Sequence, residues 1–196
     1  MSQQSKKFQV PDELANLYDF ANTLDVRHFI HHGVQHQQRD ELVSARDLAA
    51  WMSRRGMLFT SARITAPMLA TALELRTLVR DYLQCDPVER GSSNAVRSLN
   101  EALRLFPLVV EARENSRGMM LKAASNDALA GLSSVVAELY NGSANGTVAR
   151  LKMCASEECR RVFFDRSKPS TRRWCMSSLC GNRIKTRNYR ERQRQS

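Results

Sequence analysis

No stretch of this chain approaches the roughly 18 consecutive apolar residues that a membrane-spanning helix requires. The segment Met1 to Val10, MSQQSKKFQV, likewise has no apolar run of the kind a secretory leader needs. The expectation is a protein with no membrane partner, working in a reducing cytoplasm. Catalytic signatures are missing too: there is no nucleophile elbow, no phosphate-cradling glycine loop and no recognisable pair of catalytic carboxylates. Enzyme activity is not expected. A redox Cys-x-x-Cys is also absent.

What is present is concentrated at one end. Four of the five cysteines lie in the last 47 residues as Cys154-x4-Cys159, then fifteen residues, then Cys175-x4-Cys180. Two close pairs separated by the length of a short hairpin suit a tetrahedral zinc ion held by four thiolates. Disulfides would need an oxidising compartment, and iron-sulfur clusters usually use other spacings. Arg160, Arg161, Arg172 and Arg173 lie next to these cysteines in sequence, and nearby cations favour thiolate over thiol. One structural Zn2+ is therefore expected. Cys85, alone before Asp86-Pro87, reads as an ordinary thiol.

Charge follows the cysteines. From Arg150 onward there are 14 Lys and Arg against four acids, a formal +10 that equals the excess of the whole chain. Residues 1–149 carry 16 basic and 16 acidic side chains and sum to zero. A neutral body with a cationic, metal-stapled tail is the layout of a nucleic-acid binder.

Within the tail, Val162-Phe163-Phe164 reads as a short strand, Asp165 to Ser170 as a turn, and Thr171 to Trp174 as a return strand. A helix then runs to Gln195, with Ser177 or Ser178 as its N-cap and Cys180 near the positive end of its dipole. Knuckle, hairpin and helix describe a treble-clef-like zinc finger. The run Cys175-Met176-Ser177-Ser178-Leu179-Cys180-Gly181-Asn182-Arg183, preceded by Arg172-Arg173-Trp174 and by Phe164-Asp165-Arg166-Ser167, closely resembles the CGNR-type zinc finger of bacterial regulators. In that family the finger follows a stress-responsive regulatory domain called ABATE. Leu17-Tyr18-Asp19-Phe20-Ala21-Asn22-Thr23-Leu24-Asp25 is similar to that domain's opening motif. The resemblance implies a DNA-binding transcription regulator.

The residues give an independent reason to expect a polyanion partner. At about 100° per residue, Arg183, Arg187, Arg190 and Arg194 fall within roughly 60° of one another, with Lys185 and Arg192 on the far side. Arg172, Arg173 and Arg183, which flank the cysteines, are the first choices for phosphate or guanine contacts, and Lys185 adds charge. The distal helix has little apolar surface, so it is expected to fray until a polyanion orders it. Trp174 and Phe164 suit the finger's small core, Asp165 and Ser167 the turn, and Gly181 a close approach of the helix. Asn182 suits either an adenine edge or an orienting hydrogen bond. RNA and an acidic protein remain alternative partners for the same surface.

The fold class expected is α+β: a mostly helical domain with a small β-hairpin over residues 1–149, followed by the finger over 150–196. Helices are expected from Pro11, from Asp40 to Arg55, from Thr65 through Leu83, from Asn94 to Phe106, and from Ser125 or Asn126 through Leu139. Residues 108–113 and 119–123 read as a hairpin, and Asn141 to Gly146 as a flexible joint. His28, His31, His32 and His36 approximate a second metal face, but Gly33 and the glutamines around them favour a polar loop. Asn22, Thr23, Asp25 and Arg27 either finish a helix with internal hydrogen bonds or line a pocket for a small-molecule effector. A single helix in a groove covers few base pairs, so a homodimer formed through the body is a reasonable expectation.

Overall fold

Apolar residues at helical spacing build the body, and the computed structural model describes residue 5 and residues 8–31, 34–58, 63–112 and 118–195. A 3-10 turn, Asp12–Leu14, leads into α1 (Ala15–Ala21). Two short antiparallel pairs follow where a polar loop was expected: β1 (Leu24–Asp25) with β4 (Arg39–Asp40), and β2 (Ile30–His31) with β3 (Val34–Gln35). Helix α2 (Ala45–Ser53) starts later than the expected Asp40, because Ser44 forms a capping box with Asp47 while Asp40 is held in β4. Thr65 caps α3 (Ala66–Gln84), which has Pro67 in its first turn, as expected. α4 (Asn94–Leu103) starts where expected but ends three residues before Phe106, and the hairpin β5 (Leu108–Ala112) with β6 (Met119–Ala123) falls where the sequence placed it. The end of the predicted β5, Arg113, and most of its turn lie outside the described residues.

The last body helix, α5 (Ser133–Ala144), begins later than Ser125 because a 3-10 turn, Ala130–Leu132, precedes it. It also ends later, and this removes the expected flexible joint. Gly142 is buried inside α5 where a Cβ would lie 2.6 Å from both Leu14 Cδ2 and Val148 Cγ2. Only glycine lets these three segments meet. Gly146, at φ +81°, closes the helix, and the 3-10 turn Thr147–Arg150 delivers the chain directly into β7 (Leu151–Met153).

β7 pairs antiparallel with β8 (Val162–Phe164), in the register Leu151↔Phe164 and Met153↔Val162. The expected return strand at Thr171–Trp174 is therefore not the partner of β8. That segment is extended loop, joined to the first knuckle through Ala155 N–H and Arg173 C=O at 2.9 Å. Leu151 and Val162 are both 0 % exposed and belong to the same apolar cluster as Leu17, Trp51, Leu75 and Leu132. The base of the finger is thus part of the body's core, each such side chain contributing roughly 1.5–3 kcal/mol. Finally α6 (Asn182–Gln195) runs unbroken.

Candidate metal centre and basic helix

The β7–β8 hairpin positions the first cysteine pair. Cys154 N–H donates to Arg161 C=O at 2.9 Å, and the N–H groups of Cys159 and Arg160 both donate to Ser156 C=O at 2.9 Å. Arg160 closes this knuckle in the left-handed region at φ +46°. The turn after β8 is fixed by Asp165, fully buried, which accepts from Ser167 N (3.0 Å), Ser167 Oγ (2.7 Å), Arg172 N (2.8 Å) and Lys152 Nζ (3.1 Å). Burial alone would raise its pKa, but these hydrogen bonds outweigh it and hold the carboxyl down at about 2. Cys180 sits in a wide turn, Ser177–Gly181, in which Gly181 N–H reaches back to Met176 C=O at 3.3 Å. Such i to i+5 turns often occur at functional sites. Met176 stands at the N-cap of this turn, with no side-chain capping bond among the described residues, in place of the expected Ser177 or Ser178. A Cβ at Gly181 would make ordinary contact, 3.5 Å from Trp174, so the expected close approach does not demand glycine.

The four sulfurs lie within 4.8 Å of one another, with Cys159–Cys175 at 3.6 Å and Cys175–Cys180 at 3.8 Å. A tetrahedral Zn2+ with Zn–S bonds of about 2.3 Å requires S···S edges of about 3.8 Å. Disulfides, at about 2.05 Å, are excluded by the same distances. Hydrogen bonds from the other three sulfurs push the Cys154 thiol down, whereas the bonds with Cys154 and Cys159, and then burial, push Cys175 and Cys180 up. Four thiols this close cannot all ionise without a cation, and a divalent ion resolves that conflict. Cys154, Cys159, Cys175 and Cys180 form one structural zinc site. Cys85 is separate from it, its Sγ directed at Asp81 C=O.

Arg183, Arg187, Arg190 and Arg194 line one groove of about 600 Å3 along α6, so the periodicity placed them on a shared face. They are not equally free. Arg183 pairs with Glu158 and stacks 3.9 Å over Phe29, and Arg187 lies 3.8 Å from Glu158 and 4.0 Å from Glu191. Arg190 and Arg194 are exposed, as is Lys185 on another face. Arg172 and Arg173 line a different groove, of about 670 Å3, with Lys152 and the end of α3. Arg172 also donates to Cys175 C=O at 2.8 Å.

The sequence-predicted effector residues meet the finger. The Asn22 side-chain amide pairs with the Val162 backbone in both directions, at 3.0 Å each, like a one-residue strand added to β8. Thr23 Oγ1 donates to Phe20 C=O and accepts from Arg76, which also grips Asp40 through two bonds of 2.6 and 2.7 Å. Asp25 and Arg27 form an ion pair. Internal hydrogen bonding and a cavity coexist here, because all four residues line a space of about 220 Å3 that Cys159 and Arg161 close from the finger side. His36 packs on Phe29 and His28 Nδ1 faces its own loop at Val26 C=O. Among the described residues only the cysteine quartet is arranged for a metal, while His32 lies outside those residues.

Three contributors escaped sequence reading. Arg80, 6 % exposed, donates to Ala21 C=O (2.7 Å) and to Arg160 C=O (3.0 Å), spanning α1 and the first knuckle. Arg90, 3 % exposed, donates to Val148 C=O (2.8 Å) and Leu151 C=O (2.7 Å). Phe29 is buried against Cys154, Cys159, Phe163 and Leu179. The available signal was Arg76 and Arg80 standing in the Ala72-Val79-Leu83 stripe, since arginines on an apolar face need internal acceptors.

Fold and site together define a zinc-finger protein whose finger is seated on a helical domain. Residues 150–193 match the family described as CGNR zinc finger, and residues 16–143 match the ABATE family, described as "Putative stress-induced transcription regulator". The second match spans more than half of the sequence, and the chain belongs to that family. No curated protein matches it. No helix among the described residues is long and apolar enough to cross a membrane.

Proposed function

We propose that this protein regulates transcription by binding duplex DNA through its zinc module, acting as a binding protein and not as an enzyme. The observation that carries this reading is the alignment of Arg187, Arg190 and Arg194 along one face of an exposed 14-residue helix whose base is anchored at the cysteine quartet. Zinc fixes the base of the helix, and the guanidinium groups supply affinity for phosphate. Arg183 serves to hold α6 against Glu158 and Phe29, so three arginines remain for phosphate. The slope of log K against log salt is then about −3 on B-DNA. The neutral body brings two copies together, doubling the few base pairs one helix covers.

Selection of bound sequences from a random DNA pool, with and without a zinc chelator, tests the reading. Enrichment that disappears on chelation and on replacing Arg187, Arg190 and Arg194 by Ala supports it. Binding that is insensitive to salt, or stronger to structured RNA than to duplex DNA at one salt concentration, overturns it.

A further inference from the structure

The hairpin β5–β6 leaves one strand without a neighbour: β6 packs along α5, so β5 is the outer strand. Ala124 N–H donates to Pro107 C=O at 2.9 Å, one step beyond the pair Leu108↔Ala123, and this fixes the phase of the ladder. Hydrogen-bonded pairs alternate along antiparallel strands, so Val109 and Glu111 turn their N–H and C=O groups to β6, while Leu108, Val110 and Ala112 turn theirs outward. No backbone group among the described residues takes these six. The strand also lacks the usual protection of an edge, with no lysine, no proline and no bulge between Leu108 and Ala112.

The same three residues share an entirely apolar sheet face with their partners Ala123, Leu121 and Met119. That face is only partly covered. Val110 is 68 % and Met119 72 % exposed, and Tyr140 of α5, 61 % exposed, lines a groove of about 350 Å3 with both. Glu111, the one charged residue from Leu108 to Ala112, bonds Lys122 of its own hairpin at 3.1 Å, so the edge is left uncharged and selects neither an acidic nor a basic partner. An identical edge meets both demands, for backbone bonds and for apolar cover. We propose that two copies of this chain join edge to edge through β5, antiparallel about a two-fold axis at Val110, to make one four-stranded sheet. In that register Leu108 faces Ala112 of the second copy, Val110 faces Val110, and all six outward groups are paired. Moving the axis to Glu111 would set two carboxylates opposite each other, and moving it to Val109 would leave Ala112 without a strand partner. Five residues span about 17 Å, and a strand with a helix layer behind it is about 20 Å deep, so the contact covers about 700 Å2 over both copies. An area of this size makes a weak, reversible dimer. Weakness suits the DNA reading, on which this inference rests for its use but not for its test, because two copies on neighbouring half-sites reach an effective concentration of about 1 mM.

Sedimentation equilibrium of the full zinc-loaded chain, without DNA, from about 1 μM to about 1 mM, tests the assignment. Monomer and dimer with no larger species are expected, since a two-fold contact closes on itself. Val110→Lys, which sets two ammonium groups face to face on the axis, should weaken the dimer at least about tenfold. Val110→Pro removes only an N–H that faces outward, so it should do the same while the hairpin persists. Zinc content and helical circular dichroism equal to the parent's certify that each variant is folded. Val43→Lys, at an apolar side chain similarly exposed but outside the hairpin, should leave the dimer constant unchanged. A chain that stays monomeric over the whole range, a dimer indifferent to Val110→Lys, or assembly beyond the dimer overturns the proposal. With no DNA present, failure here leaves DNA binding by the finger standing, and failure of the DNA selection leaves this surface standing.

Discussion

Replacing Arg80 by alanine should weaken the body and the zinc centre together, although Arg80 touches no cysteine. Its guanidinium is buried, and burial lowers its pKa, yet no described carboxylate makes an ion pair with it. The charge is held by carbonyl groups: Ala21 at 2.7 Å, Leu24 at 3.4 Å and Arg160 at 3.0 Å. Two of these bonds have good geometry, and a hydrogen bond from a charged donor contributes about 1.5–3 kcal/mol. Burying the charge offsets part of that, so the net loss in Arg80→Ala should be about 2–4 kcal/mol. For a chain of this size the Tm should then fall by about 4–16 °C. Arg160 adopts its left-handed turn directly after Cys159, and without the Arg80 bond its carbonyl no longer fixes that turn. Zinc loss to a chelator should therefore accelerate several-fold. Urea unfolding and a colorimetric zinc-release assay measure the two effects, with the exposed Arg97→Ala as control. If Arg80→Ala and Arg97→Ala behave alike in both assays, the proposed coupling of body to knuckle is wrong.

Two further outcomes follow from the same contacts. Residues 1–149 produced alone should melt well below the full chain, because Leu151 and Val162 leave the core and Arg90 loses an acceptor; calorimetry showing equal melting temperatures would refute a shared core. Glu138 accepts from Leu17 N and Asn16 Nδ2, both at 2.7 Å, and although these bonds lower its pKa, burial dominates and raises it to about 7. The folded state thus keeps this proton where the unfolded chain has lost it, so this group's contribution is full below its ordinary pKa and falls as pH rises towards 7, by about 3 kcal/mol at most. Glu138→Gln should flatten that part of the stability profile, and an unchanged slope between pH 5 and 7 would contradict the burial argument.

The zinc ligands, the α3 cap, the β5–β6 hairpin and the shared face of the α6 arginines were legible because each depends on residues close in sequence. Spacing of ligands, Thr65 before Pro67, and a rotation of about 100° per residue are local rules. What was not legible depends on distant partners. Asn141 to Gly146 has the composition of a linker, and only the packing of Leu14 and Val148 on Gly142 makes it helix. Thr171 to Trp174 follows a turn and reads as a return strand, but Leu151 to Met153 pairs with β8 instead, and its Leu151 side chain joins the body's core. Arg183 shares the stripe of Arg187 and Arg190, yet Phe29, which lies 154 residues earlier and marks a polar segment with one aromatic, provides its seat.

These distant contacts change what the two family matches mean physically. Separate matches over 16–143 and 150–193 suggest two beads, but Asn22, Arg80 and Arg90 each send at least one polar bond from the body into the backbone of the finger's hairpin or the turn that leads to it. Backbone acceptors do not change when side chains do, so the seat constrains the path of the chain around the first knuckle and leaves its surface residues unconstrained. Zinc in turn ties the second knuckle, and through it α6, to that same hairpin. Any rearrangement of α1 or α3 is then transmitted to the basic helix without a hinge, because the hairpin is at once a strand pair in the body's core and half of the metal site. The cavity beside Cys159 lies on that path.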